Sequence, residues 1–407
     1  MNQQYNIFTL SNGLRVVTWQ REGLVSYIGV TVNAGSRDEG ETRQGLAHFV
    51  EHTIFKGTDR RRAHQISSRM ETVGGELNAY TSKEETMVYT NAPSGNEERA
   101  MELLADLVIS SRFPTEEIER EKEVIIEEIY SYFDSPSESV YDEFEELAYK
   151  GSALAHNILG SPESVRGLNG KDCRGFLDRF YVPKNMVLYC CSALPLEKTK
   201  KLAEKYFGKM VSTFAGHDRQ TPPFMEPFDV MRQKGNHQAN TIVGARIFGR
   251  DDERKFPMFL LNNYLGGPCM NSRLNRELRE KRGYVYTVDS SLSMMSDTGL
   301  MLIYFGSDLT TVKKCRKIIT EEIDRLCQSP LSSNVFERVK RQYCGQLLVS
   351  SDQIENRAMS LGKSLLYFDK IHDIATAAKR IMEVTAEEMR SVAELLAPEK
   401  CGVLTLA

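Results

Sequence analysis

No stretch of this 407-residue sequence approaches 18 consecutive apolar residues, so no helical membrane span is expected. An excess of positive charge is also missing. The 52 lysines and arginines are outnumbered by 56 aspartates and glutamates, for a formal net charge of −4. That balance leaves no electrostatic footprint for nucleic acid, and no basic run marks a membrane surface or polyanion as a partner. None of the eight cysteines forms a CxxC pair. Several sit in apolar segments, as Cys190-Cys191 do in MVLYCCSAL, and read as buried free thiols of a reducing compartment. The opening MNQQYNIFTLSNGLRVVTWQ lacks the cationic start and unbroken apolar stretch of a secretory signal. A cytoplasmic location is the expectation. Residues 1–20 read instead as two short strands around an Asn12-Gly13 turn.

What is present is a globular composition, 41% hydrophobic and 27% charged, long enough for two to four domain-sized units. Strand and helix signals are mixed, which places the chain in the α+β or α/β class. Residues 25–34 are β-rich, a helix is expected over 43–56, and 76–92 (ELNAYTSKEETMVYTNA) read as a strand pair turning near Lys83-Glu84. Helices follow at 96–111, 115–133 and 138–149, and 186–194 return to strand. Residues 211–228 hold three prolines and break both periodicities, so they read as a linker. After it the pattern restarts. NTIVGARIF, 240–248, is similar to YIGVTV, 27–32, and a polar turn follows each, at Gly35–Glu39 and Gly249–Glu253. An internal duplication is therefore expected, with 1–210 as one half and 229–407 as the other. Aligning the halves on these turns lays FLLNNYLGG, 259–267, over HFVEH, 48–52. The second copy has neither histidine nor glutamate there, so the fold itself does not require that chemistry.

HFVEH carries the chemistry. Four residues along a helix advance about 400°, which puts His48 and His52 about 40° apart on one face. Glu51 lies beside them, and Leu46, Val50 and Ile54 form a separate packing face. Two imidazoles and one further protein ligand make a catalytic zinc site with its fourth position open to water. Glu51 would be the base for that water. The glutamate precedes the second histidine, the inverse of the HExxH order. Taken alone, HxxEH also fits a helix with surface histidines.

The third ligand is sought in EREKEVIIEEIYSYF, 119–133. Glu121 and Glu128 are seven apart and border the stripe of Ile118, Ile125 and Ile129. A carboxylate beside apolar residues is costly unless it is paired or ligates a metal. Spacing does not decide which of the two ligates, and Glu127 competes although it points about 100° away from Glu128.

HFVEHTIFKGT, GGELNAYTSKEETMVY and EREKEVIIEEIYSY together resemble the inverzincin zinc peptidases, the pitrilysin and insulinase family M16, in its short two-domain subfamily. That resemblance implies an α+β fold of two homologous α/β-sandwich-like halves. It implies Glu128 as the third ligand after His48 and His52, with Glu51 as base and Glu121 assisting. Asn78 and Ala79 match the family's edge strand that receives substrate backbone. LGGPCMNSRLNRELREKRGYVYTV, 265–288, matches its second-half motif. There Arg279 would hold substrate carbonyls, and Tyr286 would both bind substrate and donate to the oxyanion. The implied activity is a zinc-dependent endopeptidase with one zinc ion per chain, acting on short or unfolded peptides bound as an added strand. A homodimer is the first expectation and a heterodimer with an inactive homologue the second. The rival reading is a non-catalytic assembly subunit of the same fold.

Overall fold

The computed structural model describes residues 5–211, 213–235 and 237–407. Residues 1–4, 212 and 236, which include the start of the expected hairpin and one position of the expected linker, lie outside the described residues. In chain order the elements are β1 (Tyr5–Thr9), β2 (Arg15–Gln20), β3 (Val25–Val32), α1 (Leu46–Thr53), α2 (Ala63–Glu71), β4 (Glu76–Thr81), β5 (Thr86–Pro93), α3 (Glu97–Ser110), α4 (Thr115–Phe133) and α5 (Pro136–Ala148). They continue with α6 (Pro162–Gly167), α7 (Gly170–Phe180), β6 (Met186–Ser192), α8 (Leu196–Phe207), β7 (Asp229–Arg232), β8 (Ala239–Ile247), α9 (Lys255–Gly266), a π-helix (Asn275–Glu280), β9 (Val285–Met294) and β10 (Gly299–Ser307). The chain closes with α10 (Val312–Gln328), α11 (Ser333–Ser350), α12 (Ile354–Phe368), α13 (Ile374–Glu383), α14 (Ala386–Ala393) and β11 (Gly402–Leu406).

Two sheets result. The first runs β1-β2-β6-β3-β5-β4 and the second β7-β11-β8-β10-β9. Leaving β1 aside, the two share one plan. In each, an outer strand pairs parallel with the last strand of its set (β2 with β6, β7 with β11), and the remaining pairings are antiparallel. The repeat anticipated from NTIVGARIF and YIGVTV is thus a repeat of sheet topology, with β8 in the place of β3.

The chain folds into two compact units. One contains Met1–Ile129, Asn157–Arg219 and Ser351–His372, the other Tyr130–His156, Gln220–Ser350 and Asp373–Ala407. The expected halves followed chain order, and the units depart from it in two places. Helix α12 belongs to the first unit. Its Ala358, Leu361, Leu365 and Leu366 cover Val17, Trp19, Met87 and Tyr189 on one face of that sheet. Helix α5 belongs to the second unit, where Val140, Phe144 and Ala148 cover Ile242, Leu302 and Leu404. Both approaches are close. A Cβ on Gly362 of α12 would stand 2.7 Å from Thr31 Oγ1, and one on Gly244 of β8 would stand 2.9 Å from Phe144 Cζ. A second difference concerns the linker. Its described residues hold no helix or strand until β7, yet residues 213–219 are anchored on the first unit. Asp38 accepts from Arg219 Nε at 2.8 Å, and His217 Nδ1 lies 2.8 Å from the same carboxylate. His217 also stacks on Phe180.

The opposite face of the first sheet carries that unit's main core. Ile28, Val30, Val32 and Val88 meet Phe49 and Val50 of α1, Leu103 and Leu104 of α3, and Ile118, Ile125 and Ile129 of α4. Burying such side chains contributes about 1.5–3 kcal/mol each, which fixes α1 and α4 against each other and against the sheet. Among the described residues, no helix is long and apolar enough to cross a membrane.

Candidate metal and peptide site

Helix α1 is short, eight residues, and its start is held by a side chain some distance upstream. Glu39 accepts from the Gly45 N–H at 2.8 Å and from the Ala47 N–H at 2.6 Å. A carboxylate at this end satisfies orphan amides and meets the positive end of the helix dipole. Leu46, Ala47, Phe49 and Val50 are buried. The face carrying His48, Glu51 and His52 turns toward α4, whose Ile118, Ile125 and Ile129 anchor the opposite stripe.

His48 and His52 have ring centroids 4.6 Å apart. Their Nε2 atoms lie 3.8 Å and 3.5 Å from the two oxygens of Glu128. One donor atom from each of the three residues lies within 4.8 Å of the others. Tetrahedral donors about 2.0–2.2 Å from a zinc ion stand about 3.3–3.6 Å apart, so the set is of the right size and kind. Two buried polar atoms here, His48 Nδ1 and Glu51 Oε2, have no hydrogen-bond partner. Glu127 is exposed and is not part of the cluster.

Glu121 is buried at 6% exposure and acts on His52 from behind. Its Oε2 lies 3.1 Å from His52 Nδ1, leaving His52 Nε2 to face Glu128. Its other oxygen takes Lys56 Nζ at 2.6 Å. Lys56 escaped the sequence reading. It lies three residues past the end of α1 at Thr53, where helical spacing no longer places a side chain. Burial works against the Glu121 charge, but His52 and Lys56 outweigh it and hold the carboxyl below its usual range. For His52 burial favours the neutral ring, and the hydrogen bond to Glu121 with the charges of Glu128 and Glu51 reverses this, raising its pKa. Burial, reinforced by His52, brings His48 down to about 3, so its ring is neutral and free to donate a lone pair. Burial pushes the Glu51 carboxyl up. Thr81 and His52 partly offset the rise, and Glu128 adds to it.

Strand β4 is an edge strand and packs beside α1 and α2. Leu77 and Ala79 face the core shared with α1, while Glu76 and Asn78 are exposed. Along the outer edge, backbone groups are open to another strand. Arg279 and Tyr286 lie in the second unit. Arg279 sits exposed in the π-helix. The buried Glu277 takes Arg273, Lys281 and Arg282 as partners. Tyr286 is 56% exposed on β9, the edge strand of the second sheet. Its hydroxyl donates to Asp308 at 3.2 Å, and that carboxylate raises its pKa.

The sequence pattern of Insulinase (Peptidase family M16) matches residues 15–162, and that of the Peptidase M16 inactive domain matches 167–343. The uncharacterized zinc protease YmxG of Bacillus subtilis is 30% identical over 393 residues, 96% of this chain and 95% of its own length. The chain belongs to peptidase family M16. Its relatives in that family include the mitochondrial-processing peptidase subunit beta of Bos taurus, 30% identical over 94% of this chain and 80% of the relative. The fold of this M16 chain is shared by a protease from Helicobacter pylori, with a TM-score of 0.90 at 21% identity and 99% of each chain covered. It is shared as well by a peptidase M16 inactive domain from Pseudomonas fluorescens, with a TM-score of 0.91 at 18% identity, covering 100% of this chain and 98% of the other. The expected family and fold class hold.

Proposed function

We propose that this M16 chain is a zinc-dependent endopeptidase that cuts extended peptides bound as an added strand on β4. The observation that carries the reading is the convergence of His48, His52 and Glu128 beside a half-buried Glu51 with one buried, partnerless oxygen. His48, His52 and Glu128 would hold one zinc ion. When bound, zinc supplies Lewis acidity that makes a water nucleophilic at neutral pH and polarises a scissile carbonyl. Glu51 takes the proton of the attacking water and passes it to the leaving amine. Its raised pKa suits both halves of that exchange, because a base works best when its pKa lies near the working pH. Glu121, clamped by Lys56, orients His52 and keeps its Nε2 free for the metal.

Asn78 and Ala79 hold peptide backbone along the β4 edge, which fixes register and leaves side-chain preference to neighbouring pockets. The reading assigns Arg279 to peptide carbonyls and Tyr286 to the charge that develops on the scissile oxygen, in addition to contact with the substrate. Because folded proteins do not offer an extended segment, short and unfolded peptides are the substrate class. The reading takes the active protein to be a homodimer in the cytoplasm.

Glu51→Gln is the decisive variant. Zinc content should stay at wild-type level while kcat falls by about 10²–10⁴-fold or more. Peptide cleavage near the wild-type rate would remove Glu51 from its role. Zinc retention with no cleavage by the wild-type protein would favour the assembly-subunit reading.

A further inference from the structure

The turn between β4 and β5 closes with Glu85. The Ser82 N–H donates to the Glu85 carbonyl at 2.8 Å, and the Glu85 N–H donates to Ser82 Oγ at 3.1 Å. A carboxylate in a tight turn ordinarily faces water, yet Glu85 is only 3% exposed. A buried charge persists where partners replace its hydration. The Tyr80 hydroxyl of β4 donates to Glu85 Oε1 at 2.8 Å, Lys363 Nζ of α12 lies 2.5 Å from the same oxygen, and the Tyr367 hydroxyl of α12 donates to Oε2. We propose that Glu85 is a positioning residue for peptide capture, tying β4 to α12 through Tyr80 so that the open strand edge is ordered before substrate arrives. The inference rests on the reading of the chain as a peptidase that takes substrate as a strand on β4.

Three observations carry it. The first is the exposure of β4 to fraying. It pairs with β5 and lies at the end of its sheet. On the α1 side, Leu77 and Ala79 pack on the core. Side chains alternate along a strand, so Tyr80 projects to the opposite side, where it packs against the cluster that α12 covers.

The second is reach. Helix α12 rests mainly on β2, β3 and β6, where Ala358, Leu361, Leu365 and Leu366 bury its apolar face. That burial docks the helix without help from the polar contacts. Lys363 and Tyr367 are four apart and share a face. Both extend to the carboxylate at the β4–β5 turn.

The third is the fit around Tyr80. While Glu85 holds its hydroxyl, Lys363 Nζ stands 4.9 Å from the centre of its ring. A cation over an aromatic face is attracted to it, so one ammonium serves both members of the pair. Burial, followed by the Glu85 charge, raises the Tyr80 pKa and keeps its hydroxyl a donor. Neighbouring Glu84 takes Arg37 instead, at 2.7 Å, and that pair holds the turn. Glu85 holds the strand.

The consequence is preorganisation. A peptide adding to a frayed strand must first order it, so apparent affinity falls with the fraction of molecules in which the edge is formed. Turnover of peptide already bound is unchanged.

Glu85→Gln keeps the shape of the side chain and removes its charge. In the zinc-loaded full-length protein, KM for an extended peptide should rise about 10-fold while kcat stays within about twofold. Amides of β4 should exchange with deuterium faster by about the same factor, with those of α1 unaffected. Lys363→Met should show the same split, and Lys363→Arg should restore most of the loss. If Glu85→Gln does not fold, Tyr367→Phe, which deletes a single donor on α12, carries the same measurements. A tie that is only structural lowers the denaturation midpoint and leaves KM alone. That outcome, or a fall in kcat at constant KM, overturns the positioning role while the peptidase reading stands. Failure of the zinc-loaded wild type to cut any peptide overturns the peptidase reading and the capture role with it.

Discussion

Helices α1 and α9 fill the same slot in two sheets of one plan: α1 joins β3 to β4, and α9 joins β8 to β9. Helix α9 packs Met258, Leu260, Leu261 and Leu265 into its core and carries no histidine or acidic residue. Helix α1 uses the same kind of apolar face but adds His48, Glu51 and His52 on the other side. Buried charge in the second unit is neutralised. Among the described residues, each of the three buried glutamates of the second unit is met by at least two cations: Glu143 by Arg232 and Lys234, Glu277 by Arg273, Lys281 and Arg282, Glu322 by Arg273 and Arg325. In the first unit two imidazoles and the Glu128 carboxylate bring donor atoms within 4.8 Å of one another, and Glu51 keeps an oxygen without a partner. In the second unit the fold is satisfied by an apolar helix in this slot. The polar convergence in α1 is therefore not something the fold plan itself requires.

The strongest way to break this comparison is to make α1 resemble α9. His48→Ala combined with His52→Ala should abolish zinc binding and peptide cleavage while leaving far-UV circular dichroism unchanged. A collapse of helical signal would mean that the histidines serve the fold after all. A smaller effect is expected from Lys56→Met, which leaves Glu121 with His52 as its only charged partner. Zinc affinity should fall by about 10–100-fold in chelator competition, with substantial recovery in Lys56→Arg. Gly362→Val probes the sheet face that the two units share as a design. Overpacking against Thr31 and Tyr189 should cost about 1–3 kcal/mol in denaturant unfolding.

The least effect concerns the neutralised acids of the second unit. Burial opposes the charge on Glu277, but Lys281, Arg282 and Arg273 prevail and bring its pKa from 4.5 down to about 2. A carboxyl depressed on folding contributes stability that is fully present above its unfolded pKa and lost as pH falls through its folded value. Wild type should thus exceed Glu277→Gln in stability at neutral pH, with the margin shrinking between pH 4.5 and 2 in thermal melts.

Much of this was legible beforehand. The expected helix over 115–133 coincides with α4, and the turn near Lys83-Glu84 separates β4 from β5, because periodicity and Pro114 report local preference directly. The pairing of His48 and His52 was readable because helical spacing fixes which side chains share a face, whereas spacing left Glu128 open against Glu121 and only the family resemblance singled it out. Helix α1 proved shorter than the expected 43–56, since its start is set by the Glu39 carboxylate, a tertiary contact without local periodicity. The same limit hid Lys56, whose partner lies 65 positions away on α4. The π-helix around Arg279 and the anchoring of His217 by Asp38 likewise depend on contacts that no sequence window contains. Membership of α5 and α12 was beyond reach for a related reason, as an amphipathic pattern states that a helix will be buried and not against which sheet.

The placement of α12 has a consequence for biosynthesis. Chains emerge from the ribosome N-terminus first, and domains normally complete themselves in that order. Here the histidine-bearing unit waits for residues 351–372 to cover Trp19, Met87 and Tyr189. A nascent chain already exposes HFVEH long before that cover has been translated, so the unit that carries the histidines is completed only after a segment some 300 residues further along has emerged.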